Sequence, residues 1–198
     1  EKMARGHAEA LMPMVADIMG EGRTAFSALD RIAATTGPGS FTGVRIAISA
    51  ARGLALVTAA KLFGIDSLTV MAREAHDLGV TAGALFAVAV DARRGMLYLG
   101  LYDDASRRRD GPLLIAPEDA ANLLPGDLRT AVGSGAERLA EAASARGLRV
   151  AAQLDNLEPN AAALAALAEE SGETVSSLRP LYLRPPDARP QTQAQATR

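Results

Sequence analysis

The sequence predicts an α/β fold, and three observations carry that prediction. Apolar residues recur at helical spacing in some stretches and as short β-rich runs in others, and the two kinds alternate along the 198 residues. A glycine-rich turn, Gly37-Pro38-Gly39-Ser40-Phe41-Thr42-Gly43-Val44-Arg45-Ile46, joins a strand-like run to a long helix of mostly small side chains. With 48% hydrophobic and 22% charged residues, the chain has enough apolar material for one large or two small domains.

Taken in order, Leu11, Met14, Val15 and Ile18 predict a helix from His7 to Met19, with Pro13 tolerable only near its first turn and Gly20-Glu21-Gly22 as its end. Arg31 to Thr35 reads as a short buried strand, Thr42 to Thr58 as a helix, Leu62 to Ile65 as a strand, and Ser67 to Asp77 as a helix N-capped by Ser67. Leu85 to Asp91, Met96 to Tyr102 and Leu113 to Ala116 then predict a three-stranded meander, its first two strands joined by Arg93-Arg94-Gly95. Pro117-Glu118-Asp119 opens a helix with proline in the first turn and acids at the positive end of its dipole. Thr130 to Val132 follows as a strand, Ala136 to Arg146 as a helix closed by Gly147, Asn160 to Glu170 as an alanine-rich helix and Leu181 to Leu183 as a last strand. From Pro185 the composition is Pro, Gln and Ala, which cannot build a core, and a mobile tail is expected.

The second half thus reads βββαβα and the first only αβα with a connecting strand and helix. If the halves arose by duplication, three strands should precede His7, and a shortened N-terminus would account for their absence. The expected division is 1–80, 81–184 and the tail 185–198.

Charge and composition exclude several functions. A net charge of −2 and a pI near 5.8 argue against gripping a nucleic-acid backbone unaided, which needs clustered Lys and Arg, so any RNA role should be indirect. The chain has no cysteine, hence no disulfide, thiolate metal site or cysteine nucleophile. The apolar run Leu78 to Val90 is too short to span a bilayer, no leader pattern opens the chain, and a cytosolic location is expected.

The glycine-rich turn has two readings. Gly37, Gly39 and Gly43, with Ser40, Thr42 and Arg45, could bring backbone amides and a cation to a phosphate at a helix N-terminus. A Walker A loop would end in Gly-Lys-Ser/Thr, however, where this chain has Gly43-Val44-Arg45, and the same residues equally make a tight turn capped by Ser40 or Thr42. In the helix beyond, Gly43, Ala47, Ala51 and Ala55 form a stripe of minimal side chains, with Arg45, Ser49 and Arg52 as a polar stripe elsewhere. A small stripe admits a close helix, either the internal His7 to Met19 helix or an external partner. Met12, Met14 and Met19 suit an adaptable interface or a core equally.

The Gly37 to Ile46 run, preceded by Arg5-Gly6-His7-Ala8-Glu9-Ala10-Leu11 and followed by Gly53-Leu54-Ala55, Asp91-Ala92-Arg93-Arg94-Gly95, Gly133-Ser134-Gly135 and Pro180-Leu181-Tyr182-Leu183-Arg184, resembles the bacterial TsaB (YeaZ) family over nearly the whole chain. The resemblance implies an actin-like ATPase (ASKHA, ribonuclease H-like) fold with two βββαβα subdomains, the first lacking its N-terminal strands. It implies a non-catalytic subunit for threonylcarbamoyladenosine formation at position 37 of tRNAs reading A-starting codons. Such a subunit pairs with the metal-carrying paralogue TsaD and with the ATPase TsaE, or with itself as a homodimer. ATP is then used by the partner complex, with no cofactor expected on this chain and tRNA contacted only through the complex. The partner interface expected from the helical stripes comprises His7, Leu11, Met14, Val15, Ile18, Gly43, Ala47, Ala51 and Ala55.

Read independently, the residues agree with that role. Only His7 and His76 are present, on different elements, so no His-x-x-x-His pair exists to hold a metal or support metallopeptidase chemistry. Asp91 beside Arg93 and Arg94 reads as a turn and ion-pair residue, and Arg107-Arg108-Arg109, next to Asp103, Asp104 and Asp110, as a solvated hairpin turn or a phosphate contact. The competing function is an autonomous ATPase or phosphotransferase of the actin-like superfamily.

Overall fold

The computed structural model describes residues 6–81, 83–172 and 174–184. Its elements are α1 (His7–Glu21), a 3-10 turn (Phe26–Ala28), β1 (Arg31–Thr35), α2 (Phe41–Thr58), β2 (Lys61–Ile65) and α3 (Ser67–Asp77). They continue with β3 (Phe86–Asp91), β4 (Leu97–Tyr102), β5 (Arg108–Ile115), α4 (Pro117–Leu123), β6 (Thr130–Val132), α5 (Ala136–Ser144), β7 (Ala151–Gln153) and α6 (Ala161–Glu170). The fold is mixed α/β, as the alternation predicts.

The second half is built on a five-stranded sheet in the order β5-β4-β3-β6-β7. β3, β4 and β5 pair antiparallel as the predicted meander, and β6 joins β3 in parallel, Phe86 facing Thr130 and Val88 facing Val132. Because strand side chains alternate between faces, Ala87, Leu97 and Leu99 reach one core with Leu128, Leu139 and Ala143. Phe86, Val88 and Tyr102 reach a second core with Leu68, Met71, Ala72 and Ala75 of α3. Those four α3 residues stand at i, i+3, i+4 and i+7, and all are at most 2% exposed. The small strand β7 was not anticipated; Ala151, Ala152 and Gln153 are all exposed and carry no apolar alternation.

The first half is thinner. β1 and β2 form a separate two-stranded parallel sheet, with Ile32, Ala34, Val44, Ile48, Ala51 and Leu178 in its core. The segment 174–184 returns to this sheet. Val175 bridges Leu62, Leu178 is 1% exposed, and the Leu181 N–H donates to the Thr36 carbonyl at 2.7 Å. Leu181 to Leu183, expected as a strand, is irregular chain held along the first half: the Leu181 amide reaches Thr36, and no ladder follows among the described residues. α6 also lies against β1, β2 and α3, where the Arg31 guanidinium donates to the Ala168 and Glu169 carbonyls at 2.9 and 3.3 Å and satisfies the end of that helix.

Three local expectations need correction. Pro13 sits well inside α1 rather than in its first turn; both Pro13 and Glu9, whose carbonyl loses its helical donor, are exposed to water. The N-cap of α3 is Asp66, whose carboxylate accepts from Thr69 N at 3.0 Å, and Ser67 is the first helical residue. β5 begins at Arg108, so Arg108 and Arg109 lie on the strand, with the turn before them. The expected tail 185–198 lies outside the described residues.

Candidate docking face and glycine-rich loop

α1 contains no buried residue. Leu11, Met14, Val15 and Met19 are half-buried, His7 is exposed, and Ile18 stands 65% exposed. Its main neighbour is α2, which turns Val44, Ile48 and Ala51 inward while leaving Phe41 49%, Leu56 87% and Val57 80% exposed. Between the two helices runs a groove of about 560 Å³, lined by Leu11 and Met12 on one side and Phe41, Arg45 and Ile46 on the other. α2 is also long and apolar enough, by length and composition, to cross a membrane. Its inward row joins the first-half core and its two arginines are bonded to the chain itself.

The small-residue stripe divides on folding. Gly43, Ala47 and Ala55 are half-buried, but Ala51, expected among the partner-facing residues, is only 5% exposed and packs in the first-half core. A four-residue repeat drifts by about 40° per step around a helix of 3.6 residues per turn, which carries Ala51 into the core and sets Ala55 against it. The polar stripe also finds an internal partner. Arg45 Nε donates to the Tyr182 hydroxyl at 2.8 Å, and the guanidinium lies 3.8 Å over the Phe41 ring, which stacks on Tyr182 at 5.4 Å. Arg52 donates to Ser177 Oγ at 3.1 Å and to the Leu178 carbonyl.

The glycine-rich loop is a tight turn closed by the chain itself. Gly37 has φ of +101°, which favours glycine, and its carbonyl accepts from Ser67 N at 2.8 Å. A side chain at Gly37 would also meet the Leu181 carbonyl at 3.2 Å. Ser40 is the N-cap of α2, its hydroxyl accepting from Gly43 N at 3.4 Å, and Thr42 is exposed in the first turn. Gly39 is exposed as well. The one cation expected at a phosphate, Arg45, lies over the Phe41 ring and donates its Nε hydrogen to Tyr182. Sequence reasoning missed Tyr182 as a member of this site; Arg45 and Tyr182 are 137 residues apart and no local pattern links them.

The other charged candidates are internally paired. Asp91 accepts from Arg93 N at 2.8 Å in the β3–β4 turn and pairs with Arg138 at 3.4 Å, so it is a turn and ion-pair residue whose partner lies on α5. Arg107 and Arg109 pair with Asp103 at 3.0 and 3.8 Å, while Arg108 reaches Asp66 at 2.7 Å. Burial opposes ionisation of Asp103, yet the Arg107 and Ala105 amides and the Arg107 guanidinium outweigh it and hold the carboxyl below its ordinary range. Asp66, Thr69, Tyr102 and Arg108 form a network across the seam between the halves. Burial, with the Asp66 charge, pushes the Tyr102 phenol well above its usual pKa, so it stays protonated and able to donate. Among the described residues no group of three or more His, Cys, Asp or Glu is placed to hold a metal ion.

Comparison with known proteins agrees with this architecture. The profile of the family described as "TsaD: tRNA N6-adenosine threonylcarbamoyltransferase" matches residues 1–152. The chain is 38% identical over 102 residues to the tRNA threonylcarbamoyladenosine biosynthesis protein TsaB of Escherichia coli (strain K12), covering 52% of this chain and 43% of that protein. It is 30% identical over 146 residues to TsaB of Haemophilus influenzae, covering 68% of this chain and 61% of that protein. The chain thus spans about half the length of these curated relatives. Among solved structures it resembles YeaZ from Pseudomonas aeruginosa, with TM-score 0.78 and 32% identity over 92% of this chain and 87% of that one. With its sequence, its profile match and its fold in agreement, the chain belongs to the TsaB (YeaZ) family, within the wider TsaD-type family.

Proposed function

We propose that this chain serves threonylcarbamoyladenosine formation at position 37 of tRNAs reading A-starting codons, as a non-catalytic docking subunit in the cytoplasm. The observation that carries the reading is α1, an apolar helix with no buried residue laid beside an α2 that exposes Phe41, Leu56 and Val57. A helix without a buried face gains little from its own domain, and its stabilisation is completed by apposing helices of a second protein. The partner surface in this reading comprises His7, Leu11, Met14, Val15 and Ile18 of α1 with Gly43 and Ala47 of α2; Ala51 and Ala55, which pack in and against the first-half core, support it from beneath. The partner is the TsaD paralogue, with a second copy of this chain on the same face as the alternative pairing and TsaE joining the assembled pair. tRNA contact and ATP use belong to that assembly. The division into two actin-like subdomains near residue 80 is part of the same reading and is supported by the sheet order of the second half.

Ile18→Asp tests it. Ile18 makes no core contact, so the variant should fold normally but lose co-elution with purified TsaD on size exclusion, its affinity falling by about thirty-fold or more, as for a central apolar anchor. Unchanged co-elution would remove the interface from this face. Reconstituted tRNA modification with TsaD and TsaE, with and without this protein, tests the function itself.

A further inference from the structure

We propose that residues 174–184 act as a strap that fixes the shape of the Gly37 to Ile46 loop and the first turn of α2. Its course is set by features spread over the first half. Leu178 enters the core beside Gly64, where a Cβ would stand 2.9 Å from the Leu178 Cδ2, so the absence of a side chain at Gly64 makes the seat. Arg52 holds the Leu178 carbonyl, Val175 N donates to the Leu62 carbonyl at 2.9 Å, and Leu181 N donates to the Thr36 carbonyl at 2.7 Å. Gly37 leaves room for the Leu181 carbonyl. At the far end Tyr182 closes over Phe41 and Arg45, at the N-terminus of α2.

These contacts share one consequence. The loop is ordered by a later part of the same chain. The groove walls Phe41, Arg45 and Ile46 belong to the turn that the strap holds, so its closure sets the surface that α1 and α2 present. The inference rests on the docking reading only for this last step.

Amide hydrogen exchange on the full chain tests the strap. Val44 N–H donates to the Ser40 carbonyl at 2.9 Å and Ser67 N–H to the Gly37 carbonyl at 2.8 Å, so these two amides report loop closure. Tyr182→Ala should speed their exchange by roughly ten-fold, the worth of one hydrogen bond with its ring contacts. The Gly135 amide, bonded to the Ala89 carbonyl in the second half, should exchange as before. Tyr182→Phe keeps the stack and loses the acceptor, and should fall between. Unchanged exchange at Val44 and Ser67 in the alanine variant overturns the strap, and so does equal acceleration at Gly135, which would mark global loosening. Weaker co-elution of Tyr182→Ala with TsaD is the expected downstream effect. If Ile18→Asp leaves binding intact while Tyr182→Ala still speeds exchange, the docking reading falls and the strap stands.

Discussion

The two halves of the molecule solve the same packing problem in different ways. In the second half, a five-stranded sheet carries α4 and α5 on one face and α3, contributed by the first half, on the other, and Phe86, Ala87, Val88 and Ala89 in its central strand are all fully buried. In the first half, the sheet has two strands, its core borrows Leu178 from the end of the described chain, and α1 has no fully buried residue. A sheet covered on both sides closes itself, whereas a two-stranded sheet is marginal and needs added surface. The difference separates a well-covered half from one with much exposed apolar surface. Most of the exposed large apolar side chains, Met12, Ile18, Phe41, Leu56 and Val57 among them, lie in the first half, and the strap that packs against it comes from a distant part of the sequence.

The comparison is most easily broken at Leu178. Leu178→Ala should cost about 2–4 kcal/mol in urea unfolding, close to the cost of Leu139→Ala in the second-half core, since both side chains are fully buried. A cost below about 1 kcal/mol would show that the strap lies on the first half without completing it. The seam between halves comes next. Asp66 caps α3 and pairs with Arg108, so Asp66→Ala should cost about 1–2 kcal/mol by the same measurement, and a smaller effect would mean that the halves are joined by apolar contact alone.

The smallest effect is expected in the β4–β5 turn. The Asp103 carboxyl is held below its ordinary pKa, so its contribution to stability is present above the unfolded value of about 4 and is lost as pH falls through the folded value. The urea midpoint of Asp103→Asn should therefore lie below that of the parent chain at neutral pH and converge with it in acid. A gap that persists unchanged in acid would locate the effect in the amide substitution and not in the charge.

Much of this architecture was legible from local pattern. Thr130 to Val132 and the proline-started α4 follow from short-range rules, because a β-rich run bounded by polar residues and a first-turn proline mean the same thing in most surroundings. β7 escaped because two alanines and a glutamine on an exposed edge carry no periodic signal. Leu181 to Leu183 misled for the opposite reason: alternating apolar residues suggest a strand, but Leu181 bonds to Thr36 just past the end of β1, and no ladder continues from it among the described residues. The candidate site was half visible. α1 and the loop could be read from composition, but α2 is apolar around much of its circumference, so the sequence alone could not say whether Ala51 or Leu56 faced inward. The fate of Arg45 depended on a tyrosine far along the chain, and only the tertiary fold brings them together.

The seat that Gly64 leaves for Leu178 also bears on how the chain is made. The Leu178 carbonyl meets Arg52 across 126 residues of sequence, so the first half, although synthesised first, cannot complete its core until the strap has left the ribosome. The five-stranded sheet, with α3 on one face and α4 and α5 on the other, is then already available as a folded neighbour. An apolar helix such as α2 stays uncovered for most of synthesis, and this protein's demand for a chaperone should be greatest in that interval and fall once the strap has closed.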